Sequence, residues 1–251
     1  MWDGLLGEKE NTLPLRDSTK RFREMMDVLR RRHLLQGITP VKIRQILEDL
    51  GPTFVKLGQI MSMRPDFLPQ EYCDELTKLQ TGAKPLAFSL IRDIIEKEYG
   101  CRWSQIFRSI DEAALGSASI AQVHQAVLSN GERVVVKVQR PGIYEVMAKD
   151  IVLLKRAAAL LKVVGNTSDV IDFSMILDEM WTIAKQEMDF LMEASHIDEF
   201  RHLNADAPYV ECPAVYHKLT TSRILVMEYI DGIRFDDVAA LEAQGFDMDH
   251  L

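Results

Sequence analysis

One stretch of the sequence, Leu115 to Lys137, limits the possible folds more than any other. It holds a run of small residues, an apolar segment, the dipeptide Asn130-Gly131 and a second apolar segment rich in valine. Asn-Gly between two such segments is the strongest short-range signal for a β-hairpin, because both residues accept the positive φ angles of a tight turn. The sequence therefore predicts antiparallel strands over 120–128 and 132–139.

The small residues Gly116, Ser117, Ala118 and Ser119 stand just before the first predicted strand. Small side chains let backbone N–H groups come close to a phosphate, which bulky side chains would prevent. An ordinary turn into a strand uses the same residue types. The segment is therefore a candidate phosphate-binding loop, and its function depends on what lies beside it.

The second predicted strand places a lysine among valines. The valines at 134, 136 and 138 share one face, and Lys137 lies on the other face between Val135 and Gln139. A charged group in an apolar strand is costly unless it is paired. An edge lysine that extends its ammonium group to water is the alternative. Pairing would require a carboxylate on a later helix.

Apolar periodicity over 171–203 predicts one long helix. Several apolar side chains form a stripe at i, i+3 and i+4 spacing, and Glu187 interrupts it. The stripe residues are Met180, Ile183, Ala184, Leu191 and Ala194. We predict that Glu187 pairs with Lys137 and turns the lysine toward phosphates; a glutamate at the edge of the stripe is the alternative. Asp189 lies about 200° further round the helix and faces elsewhere.

A helix predicted to begin at Gly51-Pro52 carries Lys56, Gly58 and Gln59. A glycine in the middle of a helix costs about 1 kcal/mol relative to alanine. Its presence predicts that another backbone or a ligand comes close to the helix there. A tolerated glycine between a surface lysine and a surface glutamine is the alternative.

The bulk composition excludes several classes of function. A net charge of −8 argues against broad nucleic-acid binding, which needs a basic surface. The three cysteines form no Cys-x-x-Cys pair, so neither a zinc site nor a disulfide framework is indicated, and a reducing cytoplasm suits them. No signal peptide is visible, and the longest apolar run, 157–164, is far shorter than a membrane span.

The predicted helix over 19–35 is basic and amphipathic, with arginine and lysine side chains beside Phe22, Met25 and Leu29. Such a helix binds an anionic membrane surface. It can equally pack its apolar side on the core and leave its charges in water. The sequence leaves both alternatives open.

Four segments follow from the change in pattern along the chain. We predict a flexible N-terminus over 1–18, a helical extension over 19–105, a lobe of strands with inserted helices over 106–229, and a linker with the start of a further lobe over 230–251. The fold class is α+β, with an antiparallel sheet of about five strands.

These motifs together resemble the UbiB/ADCK family of atypical kinases, also called AarF-like. Lys56-Leu57-Gly58-Gln59 matches the KxGQ motif of its helical extension. The segment from Gly116 to His124 resembles its alanine-rich loop, and Val134 to Lys137 resembles the strand with the ATP lysine. Glu187-Met188-Asp189 matches the ExD motif. The resemblance runs from about residue 50 to 237.

The resemblance implies a protein-kinase-like N-lobe whose added helices lie over the active site. It implies binding of ATP with Mg²⁺, and a role in the biosynthesis of ubiquinone or related isoprenoid lipids. The KxGQ residues and Asp189 would help to shape the nucleotide site. The residues assigned to ATP are Gly116, Ser117, Ala118, Ser119, Val123, Lys137, Glu187 and Glu228.

The resemblance also sets an expectation about what this chain lacks. About twenty residues follow Asp231, so the catalytic aspartate and asparagine and the metal-binding aspartate of a kinase C-lobe are expected beyond Leu251. We therefore expect a catalytically incomplete fragment of an atypical kinase or ATPase, with no metal ligands of its own. The alternative is a non-catalytic lipid-binding or regulatory module that uses the kinase-like fold as a nucleotide switch.

Partners and location follow from the same resemblance. We expect a nucleotide, an isoprenoid or quinone-precursor lipid, and a membrane surface met by the basic helix, with no nucleic acid; a homodimer is left open. The expected location is cytoplasmic and peripheral at the inner membrane face. The full-length parent is expected to be anchored in the membrane at its C-terminus.

Overall fold

A computed structural model of the chain describes residues 15–33, 37–79, 84–165, 173–233, 235 and 237–246. The N-terminal part is helical, as predicted. Its helices are α1 (Leu15–Arg31), α2 (Pro40–Leu50), α3 (Pro52–Ser62), α4 (Gln70–Leu76) and α5 (Phe88–Tyr99). Proline is the first residue of both α2 and α3, where its missing N–H costs nothing.

An antiparallel sheet follows the helical part. Its strands are β1 (Phe107–Ile110), β2 (Gly116–Ser117), β3 (Ala121–Leu128), β4 (Arg133–Gln139) and β5 (Ile224–Glu228). The order is β1-β3-β4-β5, and the short β2 pairs with β3. The Asn130-Gly131 hairpin is confirmed: Gly131 has a φ of 92°, and Ala121 lies opposite Gln139 at the far end of the ladder.

The remaining helices are α6 (Ile143–Gly165), α7 (Phe173–Glu187), α8 (Phe190–Leu203) and α9 (Val238–Ala243). Between residues 209 and 216, one isolated bridge joins Val215 to Met227 of β5. Helix α9 is the last helix of the described part of the chain, and residues 247–251 lie outside that part. No helix within the described part combines the length and the hydropathy that a membrane span needs.

The single helix predicted over 171–203 is wrong. Helix α7 ends at Glu187, Asp189 has an extended backbone with φ −104° and ψ 99°, and α8 begins at Phe190. Asp189 is the N-cap of α8, and its carboxylate accepts a hydrogen bond from the amide of Leu191. Gln139 of β4 holds the joint in place, because its side-chain amide donates to the carbonyl of Met188 over 2.6 Å.

The two faces of the sheet have different neighbours. The even-numbered valines of β4 pack with Ile91 and Ile95 of α5 in one apolar cluster. The opposite face packs on α8, where Ala121 and Leu225 contact Phe190 and Ala194. The predicted alternation of β4 is therefore confirmed.

A second apolar cluster joins α3 and α4 to α6 and α7. Gly58 of α3 lies inside this contact. A Cβ atom at Gly58 would lie 2.3 Å from Cδ1 of Leu79 and 2.7 Å from Cδ1 of Leu47. The predicted close approach is present, but two leucine side chains make it rather than a backbone or a ligand.

Helix α1 is fixed to the rest of the protein through a buried carboxylate. Arg21 donates to both oxygens of Asp150 in α6, over 2.6 and 2.9 Å, and Thr53 of α3 donates to the same carboxylate over 2.6 Å. Val28 is buried on the same side of α1, whereas Phe22 and Met26 are 52% and 45% exposed. The helix therefore packs on the core and still leaves apolar side chains in water.

Candidate functional site

A cavity of about 410 Å³ lies where α3, the loop before β3, β4, α7 and α8 meet. Small-molecule sites commonly have volumes of about 300–1,000 Å³. The predicted site residues that line it are Lys56, Gln59, Ala118, Ser119, Lys137 and Glu187. A larger cavity of about 530 Å³ lies between α1 and the end of α2, and none of the predicted site residues lines it.

Lys137 is paired, as predicted, but its partner is Glu193 of α8. The ammonium nitrogen lies 2.7 and 2.8 Å from the two carboxylate oxygens of Glu193. It also lies 4.9 Å from the ring centre of Phe190, in cation–π range. The predicted pair with Glu187 is wrong, because the break at residues 188–189 turns the first residues of α8, rather than the end of α7, toward β4.

Glu187 pairs with Lys56 of α3 instead. The side chain of Lys56 is only 18% exposed and that of Glu187 is 41% exposed. Gln59, on the next turn of α3, donates its side-chain amide to the carbonyl of Leu79 over 3.3 Å. Lys56 and Gln59 are therefore not ordinary surface residues, because α3 brings both of them to the cavity.

An arginine side chain fixes the small-residue loop through hydrogen bonds. Arg140 follows β4 and donates its Nε–H to the carbonyl of Ala118 over 2.8 Å and a terminal N–H to Oγ of Ser117 over 2.7 Å. Within the loop the amide of Ala118 donates to the carbonyl of Ala121. The amides of Ser119 and Ile120 have no hydrogen-bond partner in the part of the chain that the structure describes.

Three further predicted site residues, Val123, Asp189 and Glu228, are not among the residues that line the cavity. Val123 of β3 is the direct partner of Lys137 across the ladder and shares its face. Asp189 caps α8. Glu228 ends β5, where its amide donates to the carbonyl of Ala214 and its carboxylate accepts from the amide of Ala214. The polar groups of Glu228 are thus already engaged within the lobe.

Sequence reasoning missed Glu193, Arg140 and His196. His196 lies one turn after Glu193 on α8 and lines the cavity, although no sequence motif assigned it a role. The apolar neighbours Phe190 and Ala194 were a usable signal for Glu193, because they mark the face of α8 that packs on the sheet. Across the described ranges, no group of three or more His, Cys, Asp or Glu side chains is placed to hold a metal ion.

Comparison with known proteins matches residues 78–251 to the ABC1 atypical kinase-like domain. The chain is 40% identical over 212 residues to a Cellvibrio japonicus protein named probable protein kinase UbiB, covering 84% of this chain and 38% of that protein. It is 36% identical over 209 residues to the Arabidopsis thaliana protein ACTIVITY OF BC1 COMPLEX KINASE 7, chloroplastic, covering 83% of this chain and 30% of that one. The chain thus spans less than two fifths of the length of these relatives.

A solved structure shares the fold. The Mycobacterium tuberculosis protein Rv3197, described as a complex with erythromycin, aligns with a TM-score of 0.54 and 29% identity, covering 73% of this chain and 46% of that one. The α+β architecture with its antiparallel sheet is therefore that of a kinase-like protein. The chain belongs to the ABC1 atypical kinase-like family, whose members include proteins named UbiB and ACTIVITY OF BC1 COMPLEX KINASE, and the resemblance to the UbiB/ADCK family is confirmed.

Proposed function

We propose that the cavity binds ATP, and that the protein is an atypical kinase or ATPase that supports the biosynthesis of ubiquinone or a related isoprenoid lipid. The observation that carries the proposal is the Lys137–Glu193 pair beside a loop with free amides. The relative named UbiB is described as a probable protein kinase, which supports the same reading for this chain.

The geometry of Lys137 suits phosphate binding. An ammonium group has three N–H donors, and Glu193 engages two of them. The carboxylate fixes the ammonium group at the cavity and leaves one donor for a ligand. In protein kinases a lysine held by a helix glutamate contacts the nucleotide phosphates in this way.

The loop supplies the second part of the proposed site. Free amides of consecutive residues form a concave donor site for an anion, and Ser119 and Ile120 present two such amides beside Lys137. Gly116, which starts β2, is exposed, and no atom lies within 4 Å of the place where its Cβ would be. This open space leaves room for a phosphate chain.

The Lys56–Glu187 pair lies at the same cavity. We propose that Lys56, Gln59 and Asp189 shape the nucleotide site from the helical extension. Two carboxylates at the cavity would repel a triphosphate, so the proposal includes Mg²⁺ arriving with the nucleotide. The metal would neutralise charge on the phosphates.

The lipid and membrane parts of the proposal depend on the family and on α1. Phe22 and Met26 are exposed beside the exposed basic residues Arg23 and Arg30. An apolar surface with a basic border suits an anionic bilayer. An isoprenoid or quinone-precursor lipid, a peripheral location at the inner membrane face and a homodimer stay predictions.

A nucleotide titration tests the central claim. ATP with and without Mg²⁺ is added to this chain and to its full-length form, and the melting temperature is recorded. A ligand that binds only the folded state raises the melting temperature by mass action. At a ligand concentration of one hundred times Kd, the free energy of unfolding rises by about 2.7 kcal/mol. We expect a rise with ATP that is larger with Mg²⁺; no rise in either form would contradict the proposal.

The effect of Lys137→Ala on quinone content in cells distinguishes the enzyme from the regulatory module. For an enzyme, the full-length variant is expected to lose quinone synthesis. Unchanged quinone content with intact membrane association would favour the lipid-binding module. We expect no phosphoryl transfer by the 251-residue chain alone, and an ATP turnover assay on that chain checks this.

A further inference from the structure

Arg140 joins three parts of the protein that are separate in sequence. It lies just after β4 and holds the small-residue loop through Ala118 and Ser117. A terminal N–H of the same guanidinium donates to the carbonyl of Lys84 over 2.9 Å. Lys84 belongs to the segment 84–86, which comes just before α5 in the helical extension. One side chain thus connects β4, the loop and this segment.

The arginine has no carboxylate partner among the described residues. Its bonded acceptors are two backbone carbonyls and one hydroxyl oxygen, and burial lowers the pKa of the guanidinium below its ordinary value. A partly buried cation without a counter-ion costs free energy. The planar fork of an arginine can satisfy several acceptors in fixed directions, which lysine cannot do. The contact therefore fixes the relative positions of the three acceptors.

The segment 84–86 is itself fixed to the sheet. The amide of Leu86 donates to the side chain of Gln122 over 2.7 Å, and Gln122 donates back to the carbonyl of Leu86 over 3.3 Å. Gln122 is buried within β3. Arg140 therefore ties the loop to a segment that is anchored to the sheet, and the loop cannot shift without breaking its bonds to Arg140.

We propose that Arg140 is a positioning residue for the phosphates of the nucleotide: it fixes the loop so that the amides of Ser119 and Ile120 face the cavity. This inference rests on the proposed binding of ATP. Arg140 does not line the cavity among the described residues, so it acts through the loop and does not contact the ligand. Its removal should weaken binding of the phosphate chain and leave binding of the nucleoside unchanged.

The test compares Arg140→Gln with Arg140→Lys and with Arg108→Gln in the full-length protein. Arg108 is an exposed residue of β1 in the same sheet, so its substitution removes the same charge without touching the loop. Dissociation constants for ATP and for adenosine are measured. We expect Arg140→Gln to weaken ATP binding about tenfold, the loss of one to two hydrogen bonds to loop groups. Adenosine binding should change less than about twofold, and Arg108→Gln should match the wild type.

Hydrogen exchange gives a readout that needs no ligand. The amide of Ala118, which donates to the carbonyl of Ala121, should exchange faster in Arg140→Gln than in Arg108→Gln. Arg140→Lys keeps the charge and the apolar stem, so it retains the fold if Arg140→Gln does not. It should still lose most of the ATP affinity, because one ammonium group cannot span three acceptors.

The outcomes separate the two claims. If the wild type binds ATP and both Arg140 variants bind it equally well, the inference is overturned while the proposed function stands. An equal loss for ATP and adenosine also overturns it, because a general structural defect explains that result. If the wild type binds no nucleotide, the proposed function falls and the inference falls with it.

Discussion

The two faces of β4 show how one strand serves stability on one side and binding on the other. Toward α5 it presents Val134, Val136 and Val138, each with 0% exposure, in a cluster without charges. Toward α8 it presents Lys137 and Gln139, each with a specific polar partner. The first face contributes free energy through apolar burial, and the second arranges charges around a cavity at little gain in stability.

The largest effect is expected on the apolar face. Ile95→Ala in α5 deletes a side chain with 0% exposure between the valines, which should lower the free energy of unfolding by about 2–5 kcal/mol. Leu90→Ala in the same helix is the control, because Leu90 is 39% exposed, and should cost less than about 1 kcal/mol. Urea denaturation measures both. Equal losses would show that α5 does not cover the sheet as described.

On the site face, Lys137→Met should separate binding from stability. The Lys137–Glu193 pair is partly exposed, so its loss should change the free energy of unfolding by at most about 1 kcal/mol. ATP affinity should fall about 10- to 100-fold, because a phosphate contact is lost. Isothermal titration and urea denaturation give the two numbers.

Lys155→Met is the matched control, because Lys155 is also paired with a carboxylate, Asp178, away from the cavity. It should leave ATP affinity unchanged. If Lys137→Met lost much stability and kept its affinity for ATP, the assignment of binding to this face of β4 would be wrong.

Part of the loss of stability at alkaline pH should come from the apolar face. Tyr99 of α5 donates its hydroxyl to the carbonyl of Leu219 over 2.6 Å, and burial, with the nearby Glu98, raises the pKa of its phenol well above its usual value. The folded state thus favours the neutral phenol. Its contribution is complete below the unfolded pKa of about 10 and is lost as pH rises above it, by at most about 1.4 kcal/mol per pH unit.

Tyr99→Phe should reduce the alkaline slope, and a part should remain because burial also raises the pKa of Tyr216. The variant should cost about 1 kcal/mol at neutral pH through the lost hydrogen bond. Urea denaturation at pH 9.5 and 11 compares the two proteins. The same alkaline slope in both would show that other groups cause it.

The smallest expected effect is a coupling energy, which tests which carboxylate pairs with Lys137. A double-mutant cycle between Lys137 and Glu193 should give a coupling energy of about 0.5–1 kcal/mol in the free energy of unfolding. The cycle between Lys137 and Glu187 should give a value near zero, because Glu187 is bonded to Lys56. A larger coupling in the second cycle would restore the pairing first predicted from sequence.

The hairpin and the starts of α2 and α3 were predictable because their signals are local. Gly131 closes the hairpin turn with a positive φ of 92°, and prolines mark the first residues of α2 and α3. The predicted alternation of side chains between the two faces of β4 is also confirmed, since the side-chain period of a strand depends on nothing outside it. These predictions needed no knowledge of tertiary contacts.

The partner of Lys137 could not be predicted in the same way. Leu191 and Ala194 continue the apolar spacing of α7, so the sequence reads as one helix across the joint. Leu191 is in fact 51% exposed, whereas Ala194 is buried. The joint depends on a cap by Asp189 and on bonds from Gln139 and Ser222, which lie far away in sequence. Arg140 was missed for a similar reason, because two of its three acceptors are backbone carbonyls, which no sequence pattern displays.

The break between α7 and α8 also limits how this site could be grafted onto another protein. On one unbroken helix, carboxylates six residues apart would project about 120° apart around the axis. Here Glu187 and Glu193 meet two lysines at a common cavity because each belongs to a different helix. A protein engineer who grafted the two glutamates onto a straight helix would keep their spacing and lose their convergence. The break between the helices would have to be grafted with them, together with the capping Asp189 and the hydrogen bond from Gln139.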